Sequence, residues 1–429
     1  MMRIVDVATT ADPSGVDAVV VTQAPAIVGI ARGLGGPGVA ERASALAAAA
    51  IDRKAALLDK LARATETDRR SGARLALIRA LERLFGEIHA ELSETSGASG
   101  SAGIGATLAL AVISAGYAHL AHVGATRAYL WRDGRLRALT DDHTLGMVRV
   151  RQGSMSPAEY RDSALRQRLY QALGTGIDVD VDAASVGLAD RDVVVLCSDA
   201  IHAALDEAAI TAAVQAETAQ AIVDGLAERA RAAGADGPLS AVAVRIAADG
   251  TPEELDAVAR TLAQCALFHD LTDAERLLVA PYLDHLDLDT GGVMFSEGDP
   301  ADAFYVIVDG AVRVTRSGTP LTEIGAGGSL GELCLAGPGI TRSATVTATA
   351  PTVALGLTRD RFHEVVGRRP NLGARLLVRS LQRIGDRLRD LTERLASVEK
   401  LAVGETKPGD LALRTAIVLA ARGEWPNKE

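Results

Sequence analysis

Aromatic residues make up only 3% of this 429-residue sequence, lysine supplies 5 of its 45 basic residues, and three cysteines stand far apart at Cys197, Cys265 and Cys334. With so few rings, alanine and the aliphatics must fill the interior, which favours closely packed helices and thin sheet layers. The cysteine spacing excludes a thiolate metal site and predicts three small buried hydrophobes. No run of 18 uninterrupted apolar residues occurs, and the opening MMRIVDVATTADPSG has no charged-then-apolar pattern. Neither membrane insertion nor a secretion signal is therefore expected. Long basic runs are missing as well, and the net charge of -10 argues against a nucleic-acid-binding surface. These absences predict a soluble cytoplasmic protein, and the arginine bias points to a GC-rich bacterial genome.

What is present is apolar enough, at 48%, for two well-buried cores, and the length is too great for one. Strand-like runs at 3–8, 18–22 and 26–30 precede helical periodicity over 39–65 and 70–92. A small-residue loop over 96–103 leads to strands at 107–114, 116–123 and 127–132. Asp133-Gly134 is a hairpin signal before a further strand at 136–139. Helices over 163–173 and 211–233 and strands at 192–197 and 239–246 complete an α+β layered sandwich over residues 1–247. Residues 248–261 read as a linker and helix. Short strands and Gly-rich turns from 286 to 357 predict a β-roll or jelly roll within 262–400, closed by C-terminal helices. Residues 401–429 read as a tail with a helix over 411–422.

In the second half, Gly331-Glu332-Leu333-Cys334-Leu335, followed by Arg342-Ser343-Ala344-Thr345-Val346, resembles the phosphate-binding cassette of cyclic-nucleotide-binding domains of the catabolite-activator-like family. Phe268-His269-Asp270-Leu271-Thr272 is similar to that family's entry helix-turn. Glu297-Gly298-Asp299 and the run 304–310 are similar to its strand-turn-strand signature, so the resemblance covers the whole segment. It implies a ligand site made of Gly331, Glu332, Leu333, Arg342, Ser343 and Ala344. The roles have a chemical reason. Arg342 brings a permanently charged guanidinium to a cyclic phosphate. Backbone N–H groups at Ser343 and Ala344, and of a short helical turn from Gly331, add donors. Glu332 accepts from the ribose 2′-hydroxyl, and Gly331 permits close backbone approach. Ser343, as in bacterial catabolite-activator-like domains, favours cAMP over cGMP, although its hydroxyl also suits a guanine. The rival reading is an ion pair between Glu332 and Arg342 in a domain without ligand. The apolar stripe Leu376, Leu377, Leu381, Ile384, Leu388, Leu391 and Leu395 suits either the β-roll or a homodimer through the helix over 371–400.

The first half resembles the metal-dependent Ser/Thr protein phosphatases (the PPM family, type 2C), which implies an α/β/β/α sandwich. The motifs are 30–36, 105–107, 123–130, 139–143, 172–174 and 196–200, in order and across the entire segment. Active members hold two divalent cations on several carboxylates, because hard cations need oxygen ligands. Here the family's bridging aspartate is Arg32, followed by Gly33; another acidic position is Ala125, and the late Asp-Asn pair falls on Gly237-Pro238. Asp17 and Asp199 are the remnant of the acidic set. A cation where a dication belongs inverts the local electrostatics, so neither metal, Mn nor Mg, is expected to bind and catalysis is not expected.

Three readings follow: a cyclic-nucleotide sensor whose pseudophosphatase unit binds an unidentified protein partner; a nucleotide-regulated phosphatase with a non-standard metal site; and an assembly protein with both sites vestigial.

Overall fold

The computed structural model describes residues 3–23, 26–67, 71–99, 103–247, 260–337 and 339–405. The N-terminal half stacks two five-stranded antiparallel sheets. One has the order β2-β3-β4-β5-β8 and the other β1-β10-β9-β6-β7. The first comprises β2 (Asp17–Gln23), β3 (Ala26–Leu34), β4 (Gly105–Ser114), β5 (Tyr117–Val123) and β8 (Asp182–Gly187). The second comprises β1 (Arg3–Thr10), β6 (Arg127–Arg132), β7 (Arg135–Ala138), β9 (Val193–Cys197) and β10 (Ala241–Ala247). Two long helices, α1 (Val39–Thr67) and α2 (Ser71–Ser99), cover the first sheet. The second is covered by α5 (Asp199–Ala204), α6 (Glu207–Val214) and α7 (Ala219–Ala232). The four layers are the expected α/β/β/α sandwich.

Every residue of β4 is buried, because helices lie on one of its faces and the other sheet on its opposite face; its sequence is accordingly a continuous apolar run rather than an alternation. Small side chains let α1 lie close to the sheet: Ala43, Ala47 and Ala50 are buried there, and a Cβ on Gly33 would run into the Ala40 carbonyl. The Asp133-Gly134 hairpin forms as expected, with φ of 47° and 80° at its two turn residues.

Three local expectations fail for identifiable reasons. Residues 96–99 continue α2 instead of starting a loop; the Ser93 and Thr95 hydroxyls bond back to the His89 and Glu91 carbonyls at 2.8 and 2.7 Å, so these polar side chains are satisfied within the helix. The helix expected over 211–233 is two, α6 and α7, with Thr218 capping the second by accepting from the Ala221 N–H. Residues 163–173 are a short 3-10 turn, Ala164–Gln167, and then extended chain, since Leu173 exchanges two 2.9 Å backbone hydrogen bonds with Ala106. Strand β8 was not signalled by its sequence, DAASVG, and neither were α3 (Leu145–Arg151) and α4 (Pro157–Asp162).

In the C-terminal half two four-stranded sheets face each other, in the orders β11-β18-β13-β16 and β12-β17-β14-β15. Their strands run from β11 (Asp284–Leu288) and β12 (Val293–Phe295) through β13 (Ala303–Asp309), β14 (Ala311–Arg316), β15 (Thr319–Gly325), β16 (Ser329–Leu330) and β17 (Thr345–Ala348) to β18 (Thr352–Thr358). This is the expected β-roll. Helix α8 (Asp273–Val279) precedes it, opened by a capping box of Thr272 and Glu275. Helices α9 (Arg359–Arg368) and α10 (Pro370–Glu405) follow it. The expected end at 400 is passed by five residues, and the helix expected over 411–422 lies outside the described residues. One buried apolar cluster joins the halves, running from Val28, Leu130 and Val244 to Phe268, Phe304 and Leu376.

Candidate functional sites

The cassette begins where β16 ends. Gly331 adopts φ +82° and precedes the 3-10 turn Glu332–Ala336. A Cβ there would stand 2.7 Å from Nη1 of Arg342 and 2.9 Å from the Ala303 carbonyl, so glycine is needed both for the backbone angle and for the space. Arg342 is 5% exposed. Its Nη1 donates to the Ala303 carbonyl at 2.8 Å and its Nη2 to the Asp302 carboxylate at 3.1 Å. The guanidinium lies over the Phe295 ring at 4.0 Å from the centroid, with Tyr305 at 5.6 Å; this aromatic cradle partly replaces the water that burial removes. Glu332 is buried and accepts from Nη2 of Arg383, on α10, at 3.3 Å. Gly331, Glu332 and Arg342 are thus brought together. Leu333 and Ser343 are exposed, while Ala344 is buried beside the arginine. Residues that sequence reasoning missed are Asp302, Phe295, Tyr305 and Arg383. The hydrophobic pattern gave no signal for them, since they come from two strands, the loop before one of them, and a distant helix.

The second site is centred on Arg32. In β3, it is the register partner of Asp17 in β2, and its guanidinium is ion-paired with Asp199 at the start of α5. Gly237 lies against the same guanidinium: a Cβ there would be 3.4 Å from Nη2. Ala125 is buried and its carbonyl accepts from Nε2 of His202 at 2.7 Å. Asp17 is 5% exposed; burial pushes its carboxyl up to about 6, against the pull of Ser240 and Arg32. The two remnant carboxylates therefore converge with a guanidinium in their midst.

Beside this centre lies a buried network that the sequence did not announce. His122, His143 and Asp182 bring ligand-type atoms within 4.8 Å of one another. Nδ1 of His143 faces the Gly124 N–H at 3.3 Å and the Gln171 amide at 2.9 Å. Both are donors, so the ring proton sits on Nε2 and is donated to Asp182 at 3.0 Å. A metal ion would need that Nε2 lone pair. It would also share Asp182 with the guanidiniums of Arg369 and Arg151, which together with His143 overcome burial and hold the carboxyl far below its usual range. His143 and Asp182 thus form a hydrogen-bonded pair, and the His122 ring packs edge-on against His143 with neither of its nitrogens hydrogen-bonded. Arg127 and Asp142 form a bidentate pair next to it, both bonds at 2.7 Å.

Residues 286–369 match the family model of the cyclic nucleotide-binding domain. The C-terminal half carries a cyclic-nucleotide-binding domain. Over 138 residues, the chain is 28% identical to the CRP-like cAMP-activated global transcriptional regulator of Mycobacterium tuberculosis, covering 30% of this chain and 61% of that protein. It is 32% identical over 114 residues to the cAMP-dependent protein kinase regulatory subunit of Yarrowia lipolytica, covering 27% and 30%. In the other half, 99 residues are 34% identical to the serine/threonine phosphatase stp of Listeria monocytogenes, covering 23% of this chain and 39% of that one. A crystal structure of a bacterial serine phosphatase superposes with a TM-score of 0.50 at 19% identity, over 57% of this chain and 99% of its own. The N-terminal half has the PPM phosphatase fold. The chain spans less than two thirds of each of these curated relatives. No described helix is long and apolar enough to cross a membrane.

Proposed function

We propose that this is a cytoplasmic bacterial signalling protein in which residues 262–400 sense a cyclic mononucleotide, cAMP in preference to cGMP, and residues 1–247 act as an interaction module for a protein partner. The observation that carries the sensor reading is the state of Arg342. Its guanidinium is preformed, nearly buried and cradled by Phe295 and Tyr305, while one of its two acceptors is the exposed carboxylate of Asp302. An exposed carboxylate is a weak partner, so a cyclic phosphate takes its place at little cost. Glu332, held on the neighbouring turn, then faces the ribose hydroxyl. Gly331 and Leu333 line the turn, and Ser343 and Ala344 supply backbone donors. The cAMP-recognising descriptions of the similar proteins support the same ligand class.

Two dications do not fit the N-terminal centre. Asp17 and Asp199 are the carboxylates there, Arg32 already neutralises Asp199, and Gly33, Ala125 and Gly237 offer no side-chain oxygen. A guanidinium supplies a fixed positive charge but no open coordination position to activate water. We therefore read the unit as a pseudophosphatase that presents a surface rather than turning over a substrate. Nucleotide shifts the population of α10 positions, and with it the presentation of that surface.

Calorimetry with cAMP, cGMP and a cyclic dinucleotide on the wild-type chain and on Arg342→Ala tests the sensor. Binding of a mononucleotide that Arg342→Ala abolishes is the expected result; silence from the wild type with every ligand sinks the reading. Hydrolysis of p-nitrophenyl phosphate that depends on Mn or Mg and disappears in Asp199→Ala would overturn the non-catalytic assignment.

A further inference from the structure

Arg369 is the largest fully buried side chain of the described residues, and it crosses from one half of the molecule to the other. It stands at the joint of α9 and α10, immediately before Pro370. A residue before proline is pushed out of the helical region, and Arg369 has φ -133° and ψ 74°. The kink sends its side chain sideways into the phosphatase-like layers. There Nη1 donates to the Val181 carbonyl at 2.6 Å and approaches Asp182 at 3.5 Å, while Nη2 meets Glu82 of α2 at 3.1 Å and the Ala183 carbonyl at 3.2 Å. Flanking pairs hold the joint: Arg79 grips Glu364 through three contacts of 2.6–3.1 Å, and Arg368 meets Glu82 at 2.9 Å.

Asp182 is the residue that carries the connection onward. Its other oxygen accepts from His143, whose opposite nitrogen takes the Gly124 N–H. Gly124 is followed by Ala125, which is held by His202 of α5, the helix whose first residue, Asp199, pairs with Arg32. Further along, in its first half, α10 is fastened to the cassette by Arg383 and Glu332. Arg383 lies fourteen residues after Arg369, about 21 Å along the helix, so the first half of α10 is tied to this line at its start and to the nucleotide pocket four turns on.

We infer that Arg369 is a coupling residue: through Asp182 and His143 it ties the position of α10 to the Gly124–Ala125 turn beside the Arg32 centre, so that what moves α10 reshapes the face of the phosphatase-like unit. The inference rests on the sensing reading only in naming nucleotide as the mover. A contiguous set of polar contacts, half-buried at Asp182 and buried at Gly124, is a physical route, and the demonstration of coupling is non-additivity.

The experiment is amide hydrogen exchange on the full chain, read in peptides spanning 117–132. Without nucleotide, Arg369→Lys and Asp182→Asn are each expected to speed exchange at Gly124–Arg127 by roughly tenfold, with the double variant no faster than the faster single. No change, or effects that multiply in the double variant, overturns the inference. Arg383→Gln, which releases α10 from the cassette, is expected to alter the same peptide in the wild-type background and not in Arg369→Lys; an equal effect in both also overturns it. Should Arg369→Lys fail to fold, as judged by circular dichroism, the isosteric Asp182→Asn carries the single-variant comparison and replaces Arg369→Lys as the background for Arg383→Gln. Saturating cAMP is expected to reproduce the Arg383→Gln effect. A chain that binds no cyclic nucleotide removes the sensing reading alone, and the nucleotide-free comparisons still decide the role of Arg369.

Discussion

Two single carboxylates show how much the surroundings decide. Asp302 is exposed, yet it holds one face of the buried Arg342, the face that the proposed sensing role assigns to a cyclic phosphate. Removing its charge removes an internal competitor. Asp302→Asn is therefore expected to tighten cAMP binding several-fold, about 1 kcal/mol, in a calorimetric titration; unchanged or weaker binding would show that the carboxylate and the ligand do not compete. Asp17 has the opposite setting. Its folded pKa, near 6, lies above the ordinary aspartate value of 3.8. The folded state then binds the proton more tightly than the unfolded chain, so ionised Asp17 is a liability that is absent below about pH 4 and complete above about pH 6. Asp17→Asn is expected to raise the melting temperature at pH 7 and to leave it nearly unchanged at pH 4. Equal effects at both pH values would mean that the carboxylate does not titrate in this window.

At the scale of elements, the sequence announced what periodicity and turn chemistry control. The strands from β1 to β7, the two long helices and the Asp133-Gly134 hairpin were legible because apolar repeats and paired turn residues act locally. The break at Thr218 depends on one hydroxyl reaching one N–H, and the extended path near Leu173 depends on a strand 67 residues earlier in the chain. No local pattern encodes either. The cassette was legible as a resemblance, whereas Arg383 and Arg369 were not, because the partners of each are distant in sequence: Glu332 for one, Glu82 and Asp182 for the other. The stripe on α10 was legible, and the structure divides it. Leu376 is buried, but Leu377 and Leu381 are 39% and 69% exposed, with Val378 at 53% beside them. The homodimer that the sequence offered as one alternative for this stripe would use Leu377 and Leu381; the side chains of Leu388, Leu391 and Leu395 lie outside those described. Leu381→Lys would place a charge in the seam and is expected to turn a dimeric mass into a monomeric one in light scattering; a wild-type chain that is monomeric with cAMP present removes the dimer.

For the whole molecule the decisive feature is that the halves share a core. The apolar cluster running from Val28 and Leu130 to Phe268 and Leu376 is continuous across the boundary, and the buried guanidinium of Arg369 meets carbonyls that lie in the N-terminal half. Separating the halves would expose the cluster and leave that cation in need of water or new partners, a cost of several kcal/mol. Unfolding should then be one transition, and stabilisation of the nucleotide site should be felt throughout. The protein has two tryptophans, Trp131 in β6 and Trp425 near the C-terminus. Trp425→Phe leaves Trp131 as a reporter confined to the phosphatase-like unit. At a cAMP concentration of 100 times Kd, binding to the folded state alone adds about 2.7 kcal/mol. If the core is shared in energy as it is in space, the denaturation midpoint seen by Trp131 rises by the same amount as the midpoint seen by circular dichroism. A Trp131 midpoint that ignores the nucleotide would mean that the halves unfold independently, and that the contacts around Arg369 are too weak to carry a signal between them.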